Sequence, residues 1–256
     1  MYHSIGIKLK SKDSGKMDLF TGKKLQAIFL SLINEIDPEL SSFLHDENQL
    51  KNYTVSPLLG LKSGNVEEEK NYYFRVTFLN EILFDLFMKK IGINLILKTP
   101  IFLENYKFII EEIIYKNSKL AGKSSLNNYK SKKINLKFMT PTIFKNGDFH
   151  IKYPELKYVF NSLLNRYNKY NENKIDKNFI LENLHWIQYE KIDTRLKRLK
   201  MKKFFLEGFV GECTIKIATN NQQFIEDINN LIEFAFFSGI GQKTAMGLGQ
   251  FSSNHL

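Results

Sequence analysis

The segment Gly239–Phe251 reads GIGQKTAMGLGQF and follows the apolar, helix-like run Ile232–Phe237. Four glycines surround a polar centre that contains Lys243 and Thr244. Glycine permits positive φ angles and a close approach of the backbone to another group. The segment is therefore typical either of a tight helix-to-strand turn or of a loop that approaches an anion. It does not fit the dinucleotide-binding pattern, because Thr244 stands where the third glycine belongs and a strand follows.

The charge of the chain is unevenly distributed along its length. The 256 residues carry a formal net charge of +10 at pH 7. Residues 1–118 contain 15 basic and 15 acidic residues, whereas residues 119–256 contain 22 and 12. A basic excess confined to one half favours a polyanionic partner such as nucleic acid. A lysine-rich composition would account for the total but not for the neutral first half.

Cysteine content, histidine spacing and hydropathy narrow the class of protein. Cys213 is the single cysteine, which excludes an intrachain disulfide and a cysteine-cluster metal site. No apolar run is long enough to cross a bilayer. These features favour a cytoplasmic protein without a membrane partner. No metal site is predicted, because the histidines show no close metal-ligand spacing: they are His3, His45, His150, His185 and His255.

Apolar periodicity predicts the order strand, helix, strand, strand, helix, strand in the first half and a similar order, with one more strand, in the second half. In the first half the predicted strands are Ser4–Leu9, Tyr53–Leu61, Tyr72–Phe78 and Phe108–Tyr115, and the predicted helices are Leu25–Ile36 and Glu81–Ile91. In the second half the predicted strands are Ile134–Met139, Trp186–Glu190, Arg195–Phe205, Gly211–Ile217 and a short one after the glycines, and the predicted helices are Glu155–Tyr170 and Gln222–Phe237. Two βαββαβ units predict an α+β fold of two tandem ferredoxin-like (RRM-like) domains with antiparallel sheets, at residues 1–120 and 121–256.

The polar stretch between the first helix and the second strand offers a group for proton transfer. It contains His45, and Lys51 and Tyr53 follow it. Histidine exchanges protons near neutral pH, and a neighbouring ammonium group stabilises charge that develops on a phosphate. These groups suit metal-independent RNA cleavage, in which a 2′-hydroxyl attacks the adjacent phosphorus and a 2′,3′-cyclic phosphate results. A loop histidine without a role is the alternative.

The segment KIDTRLKRLKMKKFF, residues 191–205, concentrates the positive charge. Its first thirteen residues include seven basic residues and one acidic residue. Side-chain alternation predicts a strand hairpin with much of the charge on one face and with Leu196 and Leu199 anchoring the other. Such a hairpin suits a phosphate backbone, and Phe205 is predicted to lie in the core. The predicted RNA-binding side chains are Arg195, Lys197, Arg198, Lys200, Lys202 and Lys203.

Four segments, taken in order, resemble the CRISPR-associated endoribonucleases that cut precursor CRISPR RNA, a family of the RAMP superfamily. They are LHDENQLKNYTVSPLLG (44–60), FMTPTIFKNGDFHIKYPELKYVFNSLLNRYN (138–168), the basic run leading into FFLEGFVGECTIKI (204–217), and GIGQKTAMGLGQF (239–251). They are similar to the family's catalytic-histidine loop, the opening of its second domain, its basic hairpin region and its C-terminal glycine-rich signature. The resemblance implies tandem ferredoxin-like folds and metal-independent acid–base cleavage of repeat RNA.

The resemblance also implies roles for individual residues. His45 matches the family's catalytic histidine by its position, and Lys51 matches a lysine that some members use. Some members place a tyrosine on the first helix, but Phe20–Leu44 contains none, which leaves Tyr53, or Lys51 alone, for the second role. The glycine-rich segment is expected to hold a single-stranded stretch or a stem end. Its expected RNA-binding residues are Gly239, Gly241, Lys243, Thr244, Gly247 and Gly249.

The predicted function is that of a metal-independent endoribonuclease that cuts precursor CRISPR RNA within its repeats, for antiviral defence. The expected products carry 2′,3′-cyclic phosphate and 5′-hydroxyl ends. No cofactor is predicted. The expected partner is CRISPR repeat RNA, a CRISPR interference complex is a further candidate, and a monomer or a homodimer is expected. The alternative function is a non-catalytic repeat-RNA-binding subunit of such a complex. A general RRM-like RNA-binding protein is disfavoured, because no RNP1-type aromatic motif is present.

Overall fold

The computed structural model describes residues 1–46, 49–118, 131–200 and 205–253. The chain divides into two compact units. The first comprises Met1–Ser118 and Ala245–Gly247, and the second comprises Lys119–Thr244 and Leu248–Leu256. Three residues of the glycine-rich segment therefore belong to the first unit. Among the helices of the described residues, none is long and apolar enough to cross a membrane.

The first unit is built on a five-stranded antiparallel sheet. The unit contains the strands β1 (Tyr2–Ser11), β2 (Gly15–Lys16), β3 (Tyr53–Val55), β4 (Asn65–Val66), β5 (Asn71–Phe78), β6 (Ile101–Leu103) and β7 (Tyr106–Ser118), of which β2 and β4 lie outside the main sheet. Its helices are α1 (Gly22–Asn34), α2 (Pro38–His45) and α3 (Glu81–Ile96). The order β3-β5-β1-β7-β6, with every pair antiparallel, is that of a ferredoxin-like fold with β6 added at one edge. The short strands β2 and β4 pair separately.

Side-chain alternation explains how this sheet buries one face. Ile5, Ile7 and Leu9 of β1 occupy alternate positions and are fully buried, as expected for residues that share one face of a strand. On the helical side, Phe29 of α1 lies 5.2 Å from Phe87 of α3, measured between ring centroids. The core of the first unit therefore lies between the sheet and these two helices.

The second unit repeats this architecture. Its strands are β8 (Lys133–Thr142), β9 (Phe144–Asn146), β10 (Phe149–Ile151), β11 (Ile187–Lys200), β12 (Phe205–Ile217) and β13 (Phe251–Ser253), and its helices are α4 (Leu156–Tyr170), α5 (Lys177–Glu182) and α6 (Gln222–Ser238). The four-stranded sheet has the order β11-β12-β8-β13, again that of a ferredoxin-like fold. Helices α4 and α6 pack together, with the ring centroids of Tyr167 and Phe234 5.3 Å apart.

The predicted tandem ferredoxin-like fold is confirmed, while several strands differ in their bounds from the prediction. The strand predicted over Tyr53–Leu61 ends at Val55, because Pro57 has no N–H group to donate to a ladder. The two strands predicted over Trp186–Glu190 and Arg195–Phe205 are replaced by the single strand β11. Apart from a bulge between Tyr189 and Lys191, β11 is paired with β12 along its length.

Candidate functional site

Helix α2 presents His45 at its C-terminal end. The helix begins with Pro38, and the Asp37 side chain accepts a hydrogen bond from the Leu40 amide at 2.8 Å, an N-cap that fixes where the helix starts. Leu44 is buried and His45, the next residue, is exposed. The helix therefore anchors on its apolar side while it leaves the imidazole accessible to a substrate.

Lys51 ties down the turn that carries this imidazole. Its Nζ donates a hydrogen bond to the Leu44 carbonyl oxygen at 2.8 Å and another to the Asp46 carbonyl oxygen. These carbonyls belong to the residues on either side of His45. A cation at a helix C-terminus also interacts favourably with the helix dipole. The structure therefore brings Lys51 and His45 together, with the Lys51 ammonium group bound to the helix end.

Tyr53 lies in the hydrophobic core and is not accessible to a substrate. Its ring is fully buried and its centroid is 4.4 Å from that of Phe29. Its Oη accepts a hydrogen bond from Gln26 Nε2 at 3.1 Å. Burial raises the pKa of Tyr53 to about 12, which disfavours proton exchange near neutral pH. The prediction that Tyr53 takes the second catalytic role is therefore wrong, because β3 turns this side chain toward the helices.

The glycine-rich segment is a tightly packed turn. Gly239, with φ 65°, caps α6, and a Cβ at Gly249 would lie 1.9 Å from the Ile240 carbonyl oxygen. Gly249 also has a positive φ of 59°, so only glycine suits this position. Gly241 and Gly247 are likewise buried with positive φ. The geometry thus favours the first of the two interpretations that the sequence allowed, a tight helix-to-strand turn.

Most backbone amides of this turn are already used within the protein. The amides of Gly239, Gly241 and Gly249 donate to the Ala235 carbonyl, the Ser162 hydroxyl and the Pro141 carbonyl, at 2.9–3.0 Å. Thr244 is buried, whereas Lys243 is exposed and has a positive φ of 54°. Of the six residues predicted to bind RNA here, Lys243 is the one that the turn presents to solvent.

A buried arginine, not singled out by the sequence patterns, holds the start of the turn. Arg166 of α4 is 6% exposed. Its Nη2 donates to the Gly241 carbonyl oxygen at 2.9 Å, and its Nη1 donates to the Ser238 carbonyl oxygen. Burial lowers the pKa of Arg166 to about 10, so the guanidinium stays charged at neutral pH and can neutralise the C-terminal dipole of α6.

The basic hairpin, formed by β11 and β12, presents cations on both of its faces. The pairing of β11 with β12 runs without a register shift from Lys191 to Lys200, so successive side chains alternate between the faces. Arg195 and Lys197 lie on one face, and Arg198 lies on the other. The expectation that much of the charge shares one face is therefore wrong, because the strand is continuous.

The cations of the hairpin differ in their partners. Arg198 Nε lies 4.0 Å from Glu207 Oε1, and the Arg198 guanidinium carbon lies 4.1 Å from the centroid of the Phe205 ring. Among the predicted RNA-binding residues of β11 that the structure describes, Arg195, Lys197 and Lys200 are exposed and form no ion pair. Two predicted contacts, Lys202 and Lys203, lie outside the described residues.

Among the described residues of the hairpin, three large apolar side chains are exposed. Ile192, Leu196 and Phe205 have exposed fractions of 54%, 58% and 56%. The expectations that Leu196 anchors the hairpin and that Phe205 lies in the core are wrong. Leu196 is on β11, an edge strand of its sheet, and Phe205 lies on the part of β12 before Phe209, which is not paired with β8. Leu199 is buried, as predicted. Phe205 was missed as a surface residue, and its place beside a dense basic run is the signal that could have marked it.

Family models match almost the whole chain. The model of the CRISPR Cas6 N-terminal domain matches residues 1–131, and that of the CRISPR-associated endoribonuclease Cas6 matches residues 136–251. Among curated proteins, the chain is 27% identical over 116 residues to a CRISPR-associated endoribonuclease Cas6 of Streptococcus thermophilus. That alignment covers 44% of this chain and 46% of the relative, so the chain spans about half the length of the curated protein it matches.

Solved structures share the fold of the chain. A Thermus thermophilus Cas6 in a product complex has a TM-score of 0.77 at 23% identity, covering 99% of this chain and 100% of that one. A structure described as an RAMP protein binding different RNA substrates has a TM-score of 0.65 at 14% identity, covering 98% and 99%. At these identities the likeness shows the tandem architecture alone.

Proposed function

The chain belongs to the family of CRISPR-associated Cas6 endoribonucleases, and from this premise we propose that it cuts precursor CRISPR RNA within its repeats without a metal ion. The 2′-hydroxyl attacks the adjacent phosphorus, the 5′-oxygen leaves, and the ends are a 2′,3′-cyclic phosphate and a 5′-hydroxyl. One observation carries this proposal: an exposed imidazole, that of His45, stands at the end of a helix whose last carbonyls are held by Lys51.

His45 performs one of the two proton transfers that this reaction needs. It removes the proton from the attacking 2′-hydroxyl or gives one to the departing 5′-oxygen, and either transfer requires an accessible ring nitrogen. Lys51 acts as a positioning residue, because its ammonium group is engaged by the carbonyls of Leu44 and Asp46. It orients the histidine by holding the turn on which the imidazole stands.

RNA is held by the exposed cations of the second unit. Arg195, Lys197 and Lys200 are exposed and have no ion-pair partner among the described residues, so binding phosphates would not require breaking a salt bridge. Lys243 adds a further exposed cation, which the buried glycines around it hold in a fixed turn. The Thermus thermophilus relative was solved as a product complex, which agrees with a surface suited to RNA. Binding of this kind weakens steeply with salt.

The deciding experiment is cleavage of the chain's own repeat RNA in excess chelator. We expect full activity with chelator, and a rate at least about a hundredfold lower for His45→Ala. His150→Ala is the matched control, since His150 is an exposed histidine in the second unit, and it should cleave at the normal rate. A 2′-deoxy nucleotide at the cut site should block cleavage and leave binding intact. Cleavage that needs a divalent cation, or that survives in His45→Ala, would refute the mechanism.

A non-catalytic repeat-RNA-binding subunit is the second candidate function. It is favoured by one specific observation, the burial of Tyr53, which leaves His45 as the one accessible proton-transfer group among the predicted catalytic residues. The same experiment separates the two functions. Tight binding of the repeat without product, at enzyme in excess over RNA, supports the binding subunit.

A further inference from the structure

We propose that Phe205 and Arg198 form a stacking platform for an RNA base on one face of the basic hairpin. This inference rests on the proposed RNA-binding function and adds a specific subsite to it. It starts from an exposed aromatic ring among the described residues of the hairpin. Phe205 is 56% exposed, whereas Phe209, four residues further along β12, is 1% exposed.

The strand register places both members of the platform on the same face. Phe205 is paired with Lys200, and Arg198 is paired with Glu207. Directly opposed residues of an antiparallel pair share a face, as do alternate residues of one strand. Arg198 and Phe205 are therefore diagonal neighbours, and the guanidinium carbon lies 4.1 Å from the ring centroid. This cation–π contact covers one face of the ring, and the Phe205 side chain remains 56% exposed.

Exposed apolar side chains continue along the same face. Leu196 lies one alternate position from Arg198 along β11 and Ile192 lies three, and they are 58% and 54% exposed. On the opposite face, Leu199 and Leu206 are 7% and 6% exposed. The hairpin thus buries leucines on one side and leaves a cluster of large apolar groups on the other, which is a mark of a binding surface.

The charges around this cluster favour a nucleobase over an apolar protein surface. Arg198 and Lys200 share the face with the ring, and Arg195 and Lys197 occupy the reverse face of the same strand. The acidic residue of the face, Glu207, is already bound by Lys152 at 2.8 Å. A flat aromatic ring flanked by cations suits a base whose neighbouring phosphates contact those cations, because every base has a π face.

The test measures binding of repeat RNA that carries a 2′-deoxy nucleotide at the cut site, so that cleavage does not consume it. Phe205→Leu should weaken the affinity by about 5- to 150-fold, while Phe205→Tyr keeps the wild-type value. The dependence of affinity on salt should stay the same, because no phosphate contact is lost. Phe102→Leu is the matched control: Phe102, on β6 of the first unit, is 59% exposed, and its loss should not change affinity.

An abasic scan of the same RNA tests whether a base is the partner. One position should exist at which removing the base weakens wild-type binding by the same factor and abolishes the effect of Phe205→Leu. Equal effects of Phe205→Leu on intact RNA and on every abasic RNA would overturn the platform, as would full affinity of Phe205→Leu. Binding that drops for Phe205→Leu, in a protein that does not cut cleavable RNA, would support the platform while refuting the proposed cleavage.

Discussion

Replacing Lys51 by methionine should loosen the turn that carries His45 and slow cleavage while RNA binding stays unchanged. Methionine keeps an unbranched chain of similar length but cannot donate to the carbonyls of Leu44 and Asp46. The helix end then loses its cation and must find water for both oxygens. Because these carbonyls flank His45, losing the two hydrogen bonds should disturb the orientation of the imidazole.

The size of the effect follows from the contacts. Hydrogen bonds to charged groups contribute about 1.5–3 kcal/mol when water is excluded, and a cation at a helix C-terminus adds about 0.3–1 kcal/mol. Lys51 is half-buried, so water replaces part of this. We expect a destabilisation of about 1–2 kcal/mol, which lowers the Tm of a chain of this size by about 2–8 °C. Misplacing a catalytic group by about 1 Å costs up to about a hundredfold in rate, so cleavage should slow by about 10- to 100-fold.

The assay is single-turnover cleavage of repeat RNA beside a thermal melt, for Lys51→Met, Lys51→Arg, His45→Ala and the double variant Lys51→Met/His45→Ala. Lys51→Arg keeps donors for the carbonyls and should regain most of the stability. Because Lys51 is argued to act through His45, the double variant should be no slower than His45→Ala. If the rate losses of Lys51→Met and His45→Ala multiply in the double variant, or if Lys51→Met cleaves slowly with an unchanged Tm, then Lys51 acts directly on the phosphate.

Three further outcomes follow from the structure. Tyr53→Phe should cleave at the normal rate and should lose about 1 kcal/mol of stability, because it loses the hydrogen bond from Gln26. A rate loss of tenfold or more would show that the Tyr53 hydroxyl takes part in catalysis. Gly249→Ala should destabilise the protein by more than about 2 kcal/mol, since its Cβ would lie 1.9 Å from a carbonyl oxygen. Gly92→Ala, in α3, should stabilise the protein by about 0.5–1 kcal/mol, because nothing lies within 4 Å of the new Cβ. Urea unfolding measures both changes in stability. Burial lowers the pKa of His3, so the unfolded chain binds the proton more readily than the folded protein does. Stability should therefore fall as the pH drops below about 6.5, and the unfolding midpoint of His3→Phe should fall less than that of the wild type. Equal falls in the two proteins would contradict a role of His3 in this pH dependence.

The architecture could be predicted because the periodic spacing of apolar residues recurs along the whole length of each helix and strand. Ile5, Ile7 and Leu9 alternate as a strand buried on one face must, and the apolar positions of α1 and α6 recur at helical spacing. The same order of elements occurs twice, so each half supports the reading of the other. What periodicity could not predict was where pairing stops, as at Pro57, since that depends on one missing donor in a specific partner strand.

The site was harder to predict because single side chains lack this redundancy. Tyr53 and Phe205 are both aromatic residues at the start of a strand, and the sequence favoured the first for the surface and the second for the core. The structure reverses both. For a strand, the face on which a side chain lies is set by its register with the neighbouring strands, and a shift of one residue exchanges the faces. Tyr53 pairs with Phe78 on the face covered by helices, whereas Phe205 lies on the part of β12 before Phe209, which is not paired with β8.

The glycine-rich segment shows a related separation between a recognisable pattern and its physical cause. Four glycines beside Lys243 suggested amides that hold an anion, yet the amides of Gly239, Gly241 and Gly249 donate within the protein. Glycine is required because the backbone folds back on itself, as the approach of Gly249 to the Ile240 carbonyl shows. A tight turn of this kind gives Lys243 a fixed position that a flexible loop would not. The pattern therefore marks a scaffold for one cation, and RNA affinity should depend on Lys243 itself and on the glycines through the shape of the turn.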